Sequence, residues 1–359
     1  MRAEVGRLTI ESTRQDIVPI QMLRGIAATM VVFVHIALQL KRLNYGSYNA
    51  DWMSSGVDIF FVISGFIMWV SVERRAGMTA GEFMRHRIIR IVPLYWLVTA
   101  GVLVICFVAP QLLRTTTFDA PHALASFLFI PARHPTVTDQ FWPLLVPGWT
   151  LNFEMLFYVL FAIAIAGSNG SSRTRLALIA VLITGTVLAA TALKGRIDVM
   201  NFYANPIIFE FLAGILVGIL YLRGRVRRSF AWLAVLALGF FLLWYNEPLV
   251  MLSRVSSLIG ATMVVLGALF APPLPVPGLK AVGDASYSLY LTHVVTLAAL
   301  SHFWMAAGLQ GLGAVSFTVA GVISSILGAF LCYRLLERPM TEGLKRLWHP
   351  SPRRRLPAA

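Results

Sequence analysis

The sequence predicts an all-α, polytopic membrane protein with about ten transmembrane helices, and three observations carry that reading. Of the 359 residues, 58% are hydrophobic and only 13% charged, about half the charged share of a soluble domain. The mean hydropathy is +0.74. The apolar residues also recur in runs near the roughly 20 residues a helix needs to cross a bilayer.

The runs lie at roughly 18–40, 52–72, 91–110, 147–166, 175–193, 203–221, 230–245, 249–270, 285–305 and 314–335. The first is too long for a signal peptide and has no small-residue cleavage site, so it stays as a helix. Between the second and third, Thr79 and Glu82 have capping-box spacing, which starts a helix. That helix puts Phe83, Arg87 and Arg90 on one face, and Pro93 falls near the start of the third span, where a missing N–H costs little. The loop 111–146 carries Pro121, Pro131, Pro135 and Pro143 and cannot be one long helix. Asn205-Pro206 is a plausible start for the sixth span. The expected organisation is a cytoplasmic segment 1–17, a transmembrane domain 18–340 and a basic cytoplasmic tail 341–359. Cys106 and Cys332 both fall in apolar spans and suggest packing rather than a disulfide framework.

The formal charge of +14 could indicate a nucleic-acid partner, but its distribution says otherwise. With the N-terminus inside, inner segments hold 22 of the 30 Lys and Arg residues and the outer loops and helix ends seven, Arg24 lying within the first span. That is the positive-inside bias of a multi-pass membrane protein with both termini cytoplasmic. The charge orients the chain among lipids and requires no nucleic acid.

Ionisable groups within a bilayer cost at least about 2.5–3.5 kcal/mol near a helix centre, so each is a functional candidate. Here they are Arg24, His35, Asp58, Glu154, Glu210, Arg254 and His293. Arg24 and His35 are eleven residues apart, nearly on one face of a helix and about 16 Å apart along its axis. His35, Asp58, Glu154 and Glu210 are expected at one level, about 9–10 Å below the outer edge at 1.5 Å per residue, with His293 nearer mid-membrane. A carboxylate beside His35 would orient the ring for proton transfer. A basic inner rim of Arg24, Arg87 and Arg90 suits a polyanion entering from the cytoplasm. Bland readings stand beside these. Arg87 and Arg90 serve orientation alone, Glu210 is only a structural hydrogen-bond partner, and Arg254 snorkels. No zinc pattern, Gly-x-Ser-x-Gly elbow or Walker loop occurs, and no metal is expected.

Five strings in order carry a family resemblance. They are Gln21-Met22-Leu23-Arg24-Gly25 with His35, then Gly56-Val57-Asp58-Ile59-Phe60-Phe61, then Phe83, Arg87, Arg90 and Pro93, then Trp149-Thr150-Leu151-Asn152-Phe153-Glu154, and finally Ser286-Tyr287-Ser288-Leu289-Tyr290-Leu291-Thr292-His293. Together they resemble membrane acyltransferase family 3 over about residues 19–340, in the style of its exopolysaccharide-modifying branch. The resemblance implies an acyl-CoA donor, acetyl-CoA first among the options, reaching the site from the cytoplasm. It implies a glycan acceptor, possibly lipid-linked, on the far side, and His35 as the essential catalytic residue. Arg24, Arg87 and Arg90 would then hold the donor, with Asp58 or Glu154 polarising His35. Glu210, Tyr287 and His293 are acceptor-side or structural candidates. Some relatives carry a soluble C-terminal domain; this chain ends about 20 residues after its last span, so transfer would finish in the membrane domain or on a separate partner. Two rival readings are a proton-coupled transporter and a non-catalytic subunit of a polysaccharide export complex.

Overall fold

The computed structural model describes residues 17–112, 117–245, 253–272 and 276–348. The expected N-terminal segment up to residue 16, Arg114, His349 and the basic tail from Pro350 onward lie outside them. Ten apolar helices run through the described residues, which contain no strand. They are α1 (Val18–Arg42), α2 (Gly56–Glu73), α3 (Ala80–Val108), α4 (Trp149–Gly167), α5 (Ser172–Ala192), α6 (Phe209–Leu222), α7 (Ala231–Trp244), α8 (Ser253–Phe270), α9 (Ser286–Ala306) and α10 (Gly313–Cys332). Eight lie in helical stretches long and apolar enough to cross a membrane, and α6 and α7 are shorter apolar helices.

The outer surface shows why the chain needs lipid. Val315, Val319, Ile323, Leu327 and Leu331 follow one another at four-residue steps along α10, each more than half exposed. In water that stripe would be a large unpaired apolar patch; in hydrocarbon it needs no cover. The buried centre is aromatic, with Phe157 stacked on Phe211 at 4.1 Å and Phe153 on Phe202 at 4.2 Å.

One boundary differs from expectation. The capped helix at Thr79 and the third span are a single helix of 29 residues that passes through Pro93. Thr79 accepts from the Glu82 amide, and Glu82 accepts in return from the Thr79 amide, so the start lies where the capping box placed it. The Ile89 carbonyl, one turn back, loses its backbone donor to Pro93, a loss that helices in a membrane bundle tolerate, and the helix runs on through the proline. Two residues before it, the Ile91 carbonyl accepts the Tyr287 hydroxyl of α9 at 2.7 Å. The long loop 111–146 contains a short helix, Ala120–Phe127, strapped to α3: Tyr95 donates to the Ser126 carbonyl and Trp96 to that of Phe127.

Glycines set the register of two helix pairs. A Cβ on Gly214 of α6 would lie 2.0 Å from the Val62 carbonyl oxygen, and one on Gly65 of α2 would lie 2.0 Å from that of Phe211. Asp58 and Glu210 stand one turn before Val62 and Gly214, so backbone contact here brings the two acids together. Likewise Gly25 of α1 lies against Leu279 and Gly283, in the short helix Pro277–Asp284 that leads into α9. His35 and His293 each stand ten residues beyond these glycines, and the two helices run the same way. Gly214→Val is expected to push α2 and α6 apart at a cost of about 1–3 kcal/mol or more. Thermal unfolding in detergent, followed by helical circular dichroism, should show a lowered midpoint, with Gly101→Val, at an open position, close to wild type.

Candidate active site

A cavity of about 290 Å³ opens between α1, α2, α3, α4 and α9. Gln21, Arg24, Arg87 and Arg90 line it together with Ser64, Glu154 and Tyr158, and Phe60, Thr150, Tyr287 and Tyr290 complete its wall. Arg24 comes from α1. Arg87 and Arg90 are neighbours on one face of α3, as their spacing requires.

The three guanidinium groups are supported unequally. Arg87 donates to the Ser71 hydroxyl at 3.0 Å and lies over the rings of Phe83 and Tyr158, at 5.3 and 6.0 Å from their centroids. Its Nε is buried with no partner. Arg24 reaches Gln21 Oε1 at 3.4 Å. The carboxylate in the cavity wall, Glu154, accepts from the Tyr158 hydroxyl at 2.5 Å and from Ser64 at 3.3 Å. Three cations facing one carboxylate in a poorly solvated space repel one another, and an anionic ligand would relieve that repulsion.

His35 stands further along α1. Its Nδ1 lies 3.0 Å from the Val31 carbonyl oxygen and 3.2 Å from Nε2 of His293. The two rings meet edge to face with centroids 4.7 Å apart. Tyr290 links this pair to the cavity: its ring lies 6.1 Å from that of His293 and 5.9 Å from that of Phe60. The carboxylates expected at His35 are elsewhere. Asp58 faces Glu210, close enough to share a hydrogen bond, with Arg254 near enough to act on both electrostatically. Asp58, Glu210 and His293 are all buried. His35, Asp58, Glu154 and Glu210, expected at one level, thus stand in three separate places: the histidine pair, the carboxyl pair and the cavity wall. His293 joins His35 because the short helix Pro277–Asp284 precedes α9, so the Ser286 start of α9 already lies beyond the level of Gly25.

Among the described residues no group of three or more His, Cys, Asp and Glu side chains gathers as a metal site. Residues 18–334 match the family described as an acyltransferase domain. The chain belongs to acyltransferase family 3. It is 40% identical over 301 residues to exopolysaccharide production protein ExoZ of Rhizobium meliloti, covering 80% of this chain and 89% of that protein. It is similar to Nodulation protein 10 of Rhizobium leguminosarum bv. viciae, with 25% identity over 351 residues, 89% of this chain and 91% of the relative. It also resembles O-acetyltransferase OatA of Staphylococcus aureus, at 24% identity over 81% of this chain but 54% of that protein. No solved structure matches the chain.

Two residues that the family motifs did not single out join the site. Tyr158 is one helical turn after Glu154, a spacing that could have been read as a hydrogen-bonded pair. Glu337 is less legible. The segment Tyr333–Glu337 is a π-helical turn, which shifts the phase of the helix and is frequent at functional sites. It leaves Glu337 buried at 4% exposure, accepting from the Ser288 hydroxyl at 2.6 Å. There it adds a negative charge to the field at Arg24. Ser288→Val would leave a Glu337 oxygen buried without its donor, a loss of about 1–3 kcal/mol. A reduced thermal midpoint in detergent, recovered by Ser288→Thr, is the expected result.

Proposed function

We propose that this protein is an O-acyltransferase of the bacterial inner membrane, with both termini cytoplasmic and residues 18–340 as its catalytic domain. In this reading it moves an acyl group, acetyl first among the candidates, from cytoplasmic acyl-CoA to a hydroxyl of an exported polysaccharide or its lipid-linked precursor. The observation that carries the reading is the cavity in which Arg24, Arg87 and Arg90 face a single carboxylate. The activities for which two relatives are named, exopolysaccharide production and O-acetyl transfer, support the acceptor class and the acyl group. Family membership favours this over a transporter.

In this reading each residue has a task. The arginines hold the donor's phosphates, since guanidinium forks match phosphate oxygens. Arg24 and His35 are separated by about 16 Å of helix rise, so phosphates and reacting carbonyl must be joined by a long thin arm. The pantetheine chain of CoA is such an arm, and Phe60 and Tyr290 give it an apolar wall to follow. Glu154 and Tyr158 form a hydrogen-bonded pair beside that path and moderate the positive charge. The Asp58–Glu210 pair holds α2 against α6 and so keeps Phe60 in place. At the far end, His35 takes the proton from the acceptor hydroxyl as its oxygen attacks the thioester carbonyl. The C–S bond then breaks, the acyl group remains on the sugar oxygen, and the proton passes to the departing thiolate to give free CoA.

In cells, His35→Ala at wild-type membrane abundance is expected to reduce acylation of the exported glycan about 10²–10⁴-fold, the usual share of general-base catalysis. Mass spectrometry of the glycan reads this, and undiminished acylation would refute the assignment. For purified protein, Arg87→Ala combined with Arg90→Ala should raise the apparent KM for acetyl-CoA about tenfold or more, the loss of two charge-assisted contacts, while kcat changes little. An unchanged KM would return both arginines to the work of orienting the chain.

A further inference from the structure

We infer that His293 is a positioning residue that fixes the tautomer and orientation of His35, leaving His35 Nε2 as the nitrogen that accepts the proton. The inference rests on the reading of His35 as the general base and adds to it which atom acts and what holds it.

The argument follows from which groups can only accept. Nδ1 of His293 lies 3.0 Å from the Leu289 carbonyl oxygen. A carbonyl has no hydrogen to give, so this nitrogen carries the ring hydrogen. In a neutral imidazole the other nitrogen, Nε2, then presents a lone pair. That lone pair lies 3.2 Å from Nδ1 of His35, which also faces the Val31 carbonyl oxygen at 3.0 Å. Both neighbours of His35 Nδ1 are acceptors, so Nδ1 carries the hydrogen and shares it between them. Nε2 of His35 is left bare, and a bare ring nitrogen is what a general base needs.

The two acceptors differ in what they restrain. Val31 sits one turn back on the same helix and offers a bond along the helix axis. His293 belongs to another helix, and its edge-to-face contact with His35 fixes the ring's rotation about its side-chain bonds. His293 is fully buried, so its ring is held in turn by the packing of α9. Among the described residues, no carboxylate hydrogen-bonds or pairs with His35. His293 therefore occupies the place that an acid holds in a Ser-His-Asp triad. When His35 takes the hydroxyl proton on Nε2, its positive charge is stabilised by donation from Nδ1 to a lone pair.

The test uses full-length protein in proteoliposomes. Wild type labelled with ¹⁵N-histidine should give, for the resonances lost in His35→Ala, a protonated Nδ1 and an unprotonated Nε2. A protonated Nε2 in wild type overturns the inference without any variant at position 293. For turnover, acetyl-CoA is the probe and free-thiol release the signal, with host lipid extract as acceptor. His293→Leu should lower kcat about 10–100-fold, as the loss of residues that orient an imidazole does, with KM for acetyl-CoA within about twofold of wild type. His293→Gln, whose amide oxygen can occupy the Nε2 position, should recover most of the loss. Wild-type kcat in His293→Leu, or a Gln variant no better than Leu, would overturn the inference. If His35→Ala itself keeps full turnover, the underlying reading fails instead, so the two failures are distinct.

Discussion

A guanidinium group withdrawn from water must meet a counter-charge, an acceptor or an aqueous space, and the packing around the cavity supplies partners to two of its three arginines. Arg87 has a serine hydroxyl and two aromatic faces. Arg24 has Gln21 beside it and the fields of Glu154 and Glu337 around it. Neither acid is free to give its full attention to an arginine, because Tyr158 and Ser64 engage Glu154 and Ser288 engages Glu337. The cavity is left with an excess of positive charge that the protein does not cancel. Such a site is built for a guest that brings negative charge with it.

That excess could not be maintained by soft packing. Of the helices around it, α1 and α2 are held at fixed register by backbone contacts at glycines, α1 against Pro277–Asp284 and α2 against α6. Small residues allow this close approach, which is how helices gain contact in lipid without a hydrophobic driving force between them. The same contacts have consequences well beyond their own level. The Gly25–Gly283 approach determines that His35 meets His293, and the Gly214–Val62 approach determines that Asp58 meets Glu210. Both of these pairs are thus fixed by a backbone contact one to three turns away.

The spans were legible because lipid imposes a single requirement, long apolar runs, on every helix that crosses it. The arginine rim was legible for a related reason, since spacing along one helix fixes which side chains share a face. Arg87 and Arg90 needed nothing more. Pairs between helices were harder. Depth counted from the ends of apolar runs put Asp58 and Glu210 at one level and was useful there. For His293 it fails, because the helix Pro277–Asp284 ahead of α9 also packs along α1, so the apolar run does not begin at the level where α1 does. Depth also says nothing of direction around a helix axis, so it could not show that Asp58 turns toward Glu210 and away from His35. Glu337 was hidden by the π-helical turn, which breaks the regular 3.6-residue count that sequence reading relies on.

The choice of histidine as the partner of His35 is consistent with the low-dielectric setting. A carboxylate beside an imidazole must be desolvated as an ion, at a cost of several kcal/mol even after relaxation. That cost is acceptable in a soluble enzyme where water and many donors surround the acid. On α9 the partner is instead a neutral ring whose hydrogen goes to a backbone carbonyl that the helix already supplies. It still accepts from His35, which is all that fixing a tautomer demands. The acids of this fold are placed where they have company: Asp58 and Glu210 with each other, Glu154 with Tyr158, and Glu337 with Ser288. Charge is thereby concentrated at the cavity, while the rings of His35 and His293 meet backbone carbonyls and each other.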